Sequence, residues 1–177
     1  MLTHEYLNRF NTVLIDTCTV MQPVFIDFLK SIDTNSCKIK ISVPQSVIDE
    51  LQRIAEEESE RGTQARSAIT TIKSYIDNEI LSVVEHESNY PRPDEFFLAY
   101  APRRLNERIL YITQDYALCR DLVGMNRSAS CFGYPITVKR MSKFGYLQDF
   151  DMSRIPKAMT ALSDRTNAKS IFQQLTK

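Results

Sequence analysis

The chain has 177 residues, 43% of them hydrophobic and 25% charged, and its 22 basic and 22 acidic side chains give a net charge of zero. This composition argues against a disordered or fibrous protein, and no apolar run approaches the ~20 residues that span a bilayer. Because no secretory pattern begins the chain, we expect one cytoplasmic domain with four reduced cysteines rather than a disulfide scaffold or a zinc ribbon.

Short apolar runs alternate with amphipathic segments along the chain. The predicted strands are residues 11–16, 38–43, 80–84, 108–113 and 135–139. The predicted helices are residues 20–32, 44–55, 65–77, 94–101 and 115–123. Pro23 is tolerable in the first turn of its helix, and Gly62 and Gly124 are interpreted as helix breaks. Residues 86–93 hold two prolines and predict a loop.

Strands that alternate with helices predict an α/β fold, with three α/β/α layers and a central, mostly parallel sheet. We assign residues 1–139 to this domain and residues 140–177 to a basic C-terminal extension. From Arg140 onward there are seven Lys or Arg and three Asp or Glu, and residues 157–175 are rich in helix formers. The extension is therefore expected to be helical, and to bind RNA or to dock on the acidic domain.

Two aspartates follow predicted strands of this sheet, Asp16 after VLI and Asp115 after LYIT. Ligands of such sheets bind beyond the carboxyl ends of the strands, where the strand order reverses. The chain has only two histidines, so hydrolytic chemistry would have to come from carboxylates.

Two further acids are expected to face the same cleft. At about 100° per residue, Glu50 lies at the border of the apolar face of its helix and can reach into a cleft, whereas Asp49 faces water. Asp94 is expected to cap the helix after the proline-bearing loop, close to the positive end of that helix, and Glu95 is the alternative third acid.

These residues resemble the PIN domain nucleases, which include the VapC-like ribonucleases. The resemblance covers residues 11 to about 138. It rests on VLIDTC at residues 13–18, VPQSVIDEL at 43–51, PDEFFLAYA at 93–101 and ILYITQD at 109–115. The chain departs from the family pattern at Gln114, where Asn is common, and at Pro102, which shortens the helix after Asp94.

The resemblance implies a PIN-like fold and a Mg²⁺- or Mn²⁺-dependent endoribonuclease. Asp16, Asp94 and Asp115 would hold one or two ions, and Glu50 would coordinate an ion or orient the attacking water. The hydroxyls of Thr17 and Thr113 would hydrogen bond to the aspartates. A physical reason supports this set, because four converging carboxylates repel one another unless hard divalent cations occupy the cleft.

Basic side chains must offset the acidic cleft if a nucleic acid is to bind. Arg66 and Lys73 share a helix face and are the expected substrate contacts. Many PIN domain nucleases are toxins of toxin-antitoxin pairs, so an antitoxin or other regulatory protein and a homodimer are expected partners. The alternative is a catalytically inactive PIN-like module that binds RNA or a protein.

Overall fold

One six-stranded sheet forms the centre of the fold, in a computed structural model that describes residues 2–85, 92–104, 106–127 and 133–151. The strands are β1 (Thr12–Ile15), β2 (Ile41–Pro44), β3 (Leu81–Val84), β4 (Ile109–Ile112), β5 (Thr137–Met141) and β6 (Leu147–Asp149). The helices are α1 (Thr3–Leu7), α2 (Thr17–Val20), α3 (Phe25–Lys30), α4 (Gln45–Ala55), α5 (Glu60–Asp77), α6 (Pro93–Tyr100) and α7 (Tyr116–Met125), and a 3₁₀ turn spans Ala101–Arg103. None of the described helices is both long and apolar enough to cross a membrane.

The strand order is β3-β2-β1-β4-β5-β6. Strands β1 to β5 are parallel to their neighbours, and β6 pairs antiparallel with β5. Strands β2 and β3 lie on one side of β1, and β4, β5 and β6 lie on the other side. The strand order therefore reverses between β1 and β4. The predicted α/β class with a central, mostly parallel sheet is confirmed.

Strands β1 and β4 lie at the centre of the sheet, and their sequences are almost wholly apolar because both faces are covered. Val13, Leu14 and Ile15 have no exposed surface. On β4, Tyr111 is equally buried, and its hydroxyl donates a hydrogen bond to the carbonyl of Phe97 at 3.1 Å. The two strands therefore form a rigid base for the residues that follow them.

The single helix predicted over residues 20–32 is wrong, because the chain forms α2 and α3 with a turn between them. Pro23 lies in this turn, not in the first turn of a longer helix. Since Pro23 has no N–H to donate and its ring crowds the preceding turn, a continuous helix would lose stability there.

The helix break predicted at Gly62 is also wrong, because Gly62 lies inside α5, three residues after the cap at Ser59. A Cβ atom at Gly62 would lie 2.0 Å from the carbonyl oxygen of Glu57, beyond the end of α4. Gly62 is thus required for the close approach of two helices, and helix α5 starts five residues earlier than predicted.

Two other helix ends differ from the prediction. Arg92, not Asp94, is the N-cap of α6, because Pro93 with its fixed φ occupies the first helical position. Helix α7 continues through Gly124 to Met125, so this glycine is no stop signal.

The sheet continues past the expected domain boundary at residues 139 and 140. Strand β5 crosses this boundary, and β6 follows after a turn at Ser142–Tyr146, so β5 is not the edge strand that the sequence predicted. The helical segment predicted within 157–175, most of the loop predicted at 86–93, and Cys131 lie outside the described residues.

Candidate active site

Asp16 follows β1 directly and is only 4% exposed. It is the N-cap of α2, where its Oδ1 accepts a hydrogen bond from the backbone N–H of Thr17 at 2.7 Å. Its Oδ2 accepts from the Cys18 thiol at 2.6 Å and from the Thr113 hydroxyl at 2.7 Å. Burial is the largest effect on this carboxyl and raises its pKa, which the three hydrogen bonds oppose and the charge of Asp115 reinforces.

Asp115 lies just beyond β4 and is the N-cap of α7. Its Oδ1 accepts from the backbone N–H groups of Ala117 at 2.6 Å and Leu118 at 3.0 Å. The Thr113 hydroxyl accepts from the backbone N–H of Asp115 at 3.1 Å while it donates to Asp16. One hydroxyl therefore links the two strand-end acids across β1 and β4.

The two threonines expected to orient the aspartates act differently. Thr113 does so through its hydroxyl, whereas Thr17 does so through its backbone N–H. The Thr17 hydroxyl is buried, and within the described part of the chain it has no hydrogen-bond partner. It lines the same cleft as Asp16, so a polar group is available there for a ligand.

Glu50 projects from α4 with 26% of its side chain exposed, and it forms an ion pair of 3.8 Å with Arg53. Its neighbour Asp49 is exposed and accepts a hydrogen bond from Gln45 at 2.7 Å. Helical periodicity predicted this difference, which leaves Glu50 as the acid of α4 that reaches the cleft.

Asp94 lies in the first turn of α6, and it lines the cleft whereas Glu95 does not. The Asp94 side chain is exposed to solvent, yet partial desolvation and the charges of Asp16, Asp115 and Glu50 raise its pKa to about 6. Arg92 lowers the pKa of this carboxyl, but by less. The four acids predicted from sequence therefore interact electrostatically around one opening.

This opening is a cleft of about 710 Å³ at the carboxyl ends of β1 and β4. It is lined by Asp16, Thr17, Cys18, Met21, Gln22, Glu50, Ser59, Glu60, Arg61, Gln64, Asp94 and Asp115. The start of α5, which carries Arg61 and Gln64, forms a wall of the cleft that was not predicted from the sequence. The N-cap motif of Ser59 followed by Glu60 was the available signal for an early helix start.

The two predicted substrate contacts lie outside the cleft lining. Arg66 donates to the backbone carbonyls of Ala55 and Glu57 and to the Thr63 hydroxyl, so it ties α5 to the end of α4. Lys73 is exposed farther along α5.

The chemistry of the cleft fits hard divalent cations. It offers carboxylate oxygens and the Thr17 hydroxyl, which are the ligands that Mg²⁺ and Mn²⁺ prefer, and partial desolvation together with the charges of the other three acids raises the pKa of Asp94. Among the described residues, no three His, Cys, Asp or Glu side chains are close enough to hold an ion together. Water molecules would complete the coordination, as is usual for Mg²⁺.

Comparisons with known proteins identify the family of the chain. The family model described as PIN domain matches residues 13–121, a range that includes all four acids of the cleft. Among solved structures, the PIN domain endonuclease Utp24 is similar over 79% of this chain and 96% of that one, with 17% sequence identity and a TM-score of 0.47. No curated protein matches the chain. The chain belongs to the PIN domain family of nucleases.

Proposed function

We propose that the protein is a divalent-metal-dependent endoribonuclease that hydrolyses RNA phosphodiester bonds in this cleft. The observation that carries the proposal is the convergence of Asp16, Glu50, Asp94 and Asp115 on one cleft, where partial desolvation and then the charges of the other three acids raise the pKa of Asp94 to about 6. Four mutually repelling carboxylates weaken the metal-free fold, and such clusters are typical of sites that hold divalent cations.

Each acid has a distinct part in the proposed mechanism. Asp16, Asp94 and Asp115 would hold Mg²⁺ or Mn²⁺, directly or through water, and the Thr113 hydroxyl would keep Asp16 and Asp115 in register. Glu50, half-buried at the cleft wall, would orient the attacking water and accept its proton. A bound divalent cation lowers the pKa of water and stabilises charge on the scissile phosphate.

The test is cleavage of a labelled RNA with single-stranded and structured regions by purified protein, with Mn²⁺, Mg²⁺ or chelator. We expect internal cleavage with either ion and none with chelator, and the Asp16→Asn variant should lose cleavage while it remains folded. Asp49→Asn is a matched control, because it changes an exposed carboxylate outside the cleft. Cleavage by Asp16→Asn would refute the site assignment.

The same assay separates a nuclease from a binding module. An inactive module would retard the RNA in a gel and leave it uncut with every ion. Roles as the toxin of a toxin-antitoxin pair, as a partner of an antitoxin and as a homodimer stay predictions from the family resemblance.

A further inference from the structure

The charges that line the cleft are unbalanced. Besides the four acids of the site, Glu60 adds a fifth carboxylate, and in the part of the chain that the structure describes Arg61 is the one cation among the lining residues. An RNA phosphate that enters this cleft meets net negative charge, which bound divalent cations offset only near the acids. A positive group on the wall formed by the start of α5 would favour entry of the phosphate.

The guanidinium of Arg61 is available to bind a phosphate. It is exposed in the first turn of α5, and no ion pair or hydrogen bond to another described residue engages its guanidinium. Other arginines near the cleft already interact with neighbours: Arg53 pairs with Glu50, and the charge of Arg92 acts on Asp94. Arg66 binds backbone carbonyls at the end of α4.

The backbone that carries Arg61 is held in place on both sides. Ser59 caps the helix by accepting from the Gly62 backbone N–H at 3.0 Å. Gly62 packs against the backbone of Glu57, and Arg66 ties the next turn of α5 to α4. Because the backbone is already fixed, only the side chain of Arg61 has to be ordered when a phosphate binds.

We propose that Arg61 binds a backbone phosphate of the RNA next to the scissile phosphate. This inference rests on the proposed nuclease function and names a substrate-binding residue for it. A guanidinium donates two parallel hydrogen bonds to phosphate oxygens, and such a contact reads no base sequence. The carboxylate of Glu60, next to Arg61 in the chain, accepts a hydrogen bond from the Gln64 amide at 3.4 Å rather than from Arg61.

The test compares Arg61→Gln and Arg61→Lys with Lys38→Gln, a matched control that removes one positive charge from an exposed side chain ahead of β2, at the edge of the sheet away from the cleft. Cleavage of an unstructured 20-nucleotide RNA is measured with Mn²⁺ at several salt concentrations. Arg61→Gln should raise KM about tenfold with kcat within about twofold of the wild type, since it removes one charge-assisted contact. Arg61→Lys should recover part of this loss.

A binding measurement separates this inference from the nuclease proposal. Fluorescence anisotropy of the same RNA is followed in an Asp16→Asn background, and Arg61→Gln should reduce the slope of log Kd against log salt by about 0.7. Equal KM, Kd and slope for Arg61→Gln and Lys38→Gln would overturn the role of Arg61 even if the wild type cleaves RNA. If the wild type does not cleave, the anisotropy slope still decides the role of Arg61, and absence of RNA binding refutes it.

Discussion

The Thr113 hydroxyl is the link between the two strands that build the site. It is 1% exposed, donates to Asp16 and accepts from the backbone N–H of Asp115. Its bond to Asp16 lowers the pKa of a carboxyl that burial raises. A single side chain thus stabilises the ionised form of one acid and fixes the position of the other.

Replacing Thr113 with the isosteric Val should weaken both the fold and the activity. The variant leaves the Asp115 N–H without its partner and removes a donor from Asp16, so the free energy of unfolding should fall by about 1–3 kcal/mol. We expect kcat for Mn²⁺-dependent cleavage to fall at least tenfold. Urea unfolding and cleavage kinetics measure the two effects. Thr113→Ser should restore both, and a Val variant with the wild-type kcat would contradict this role.

Residue-level patterns predicted four acids that line the cleft, but not Arg61, which lines it as well. Asp16 and Asp115 follow from the rule for strand ends, and Glu50 follows from helical periodicity. Periodicity also picked Arg66 and Lys73, because it gives the face of a helix that avoids the core. It does not tell which end of the helix reaches the cleft, and the contact between α4 and α5 that decides this is tertiary.

At the scale of elements, Gly62 and Gly124 are both helical glycines, yet they have opposite environments. A Cβ at Gly62 would meet three backbone atoms within 3.1 Å, whereas a Cβ at Gly124 would meet nothing within 4 Å. The substitution of each glycine by Ala therefore separates helix propensity from packing.

We expect Gly62→Ala to destabilise the protein and Gly124→Ala to stabilise it. Overpacking against fixed backbone at Gly62 costs about 1–3 kcal/mol, which outweighs the propensity of Ala. At Gly124 the propensity gain of roughly 0.4–1 kcal/mol is unopposed. Thermal or urea unfolding of both variants provides the measurement. A Gly62→Ala protein as stable as the wild type would show that α4 and α5 are not closely packed.

The order and type of the main elements follow from the sequence, but several helix boundaries do not. A glycine within a helix costs about 1 kcal/mol relative to Ala, so local reasoning interprets Gly62 and Gly124 as breaks. At Gly62 the backbone of Glu57 leaves no room for a Cβ atom, so packing requires glycine there despite its cost in helix propensity. Strand β6 was missed because its three residues, Leu147–Asp149, carry no strand pattern and form only by pairing with β5.

At the scale of the whole molecule, a chain with no net charge concentrates negative charge at one edge of its sheet. The pKa of Asp94 is raised from its ordinary value of 3.8 to about 6. The folded chain therefore binds more protons than the unfolded chain between about pH 4 and 6. The stability that this carboxyl contributes is present at low pH and is lost as the pH rises through that window.

A divalent cation bound at the cleft should restore the stability that is lost when Asp94 ionises. Protons should compete with the cation for the Asp94 carboxylate. With chelator present, Asp94→Asn should be more stable than the wild type at pH 7 and equally stable near pH 4, where Asp94 is protonated. Adding Mn²⁺ at a hundred times its Kd should stabilise the wild type at pH 7 by about 2.7 kcal/mol, a rise in Tm of roughly 5–11 °C. The rise should be smaller at pH 5 and largely absent in Asp94→Asn, while Asp49→Asn should keep it. Thermal unfolding followed by circular dichroism measures all of these midpoints, and an equal Mn²⁺ effect at both pH values or in Asp94→Asn would show that Asp94 does not hold the ion.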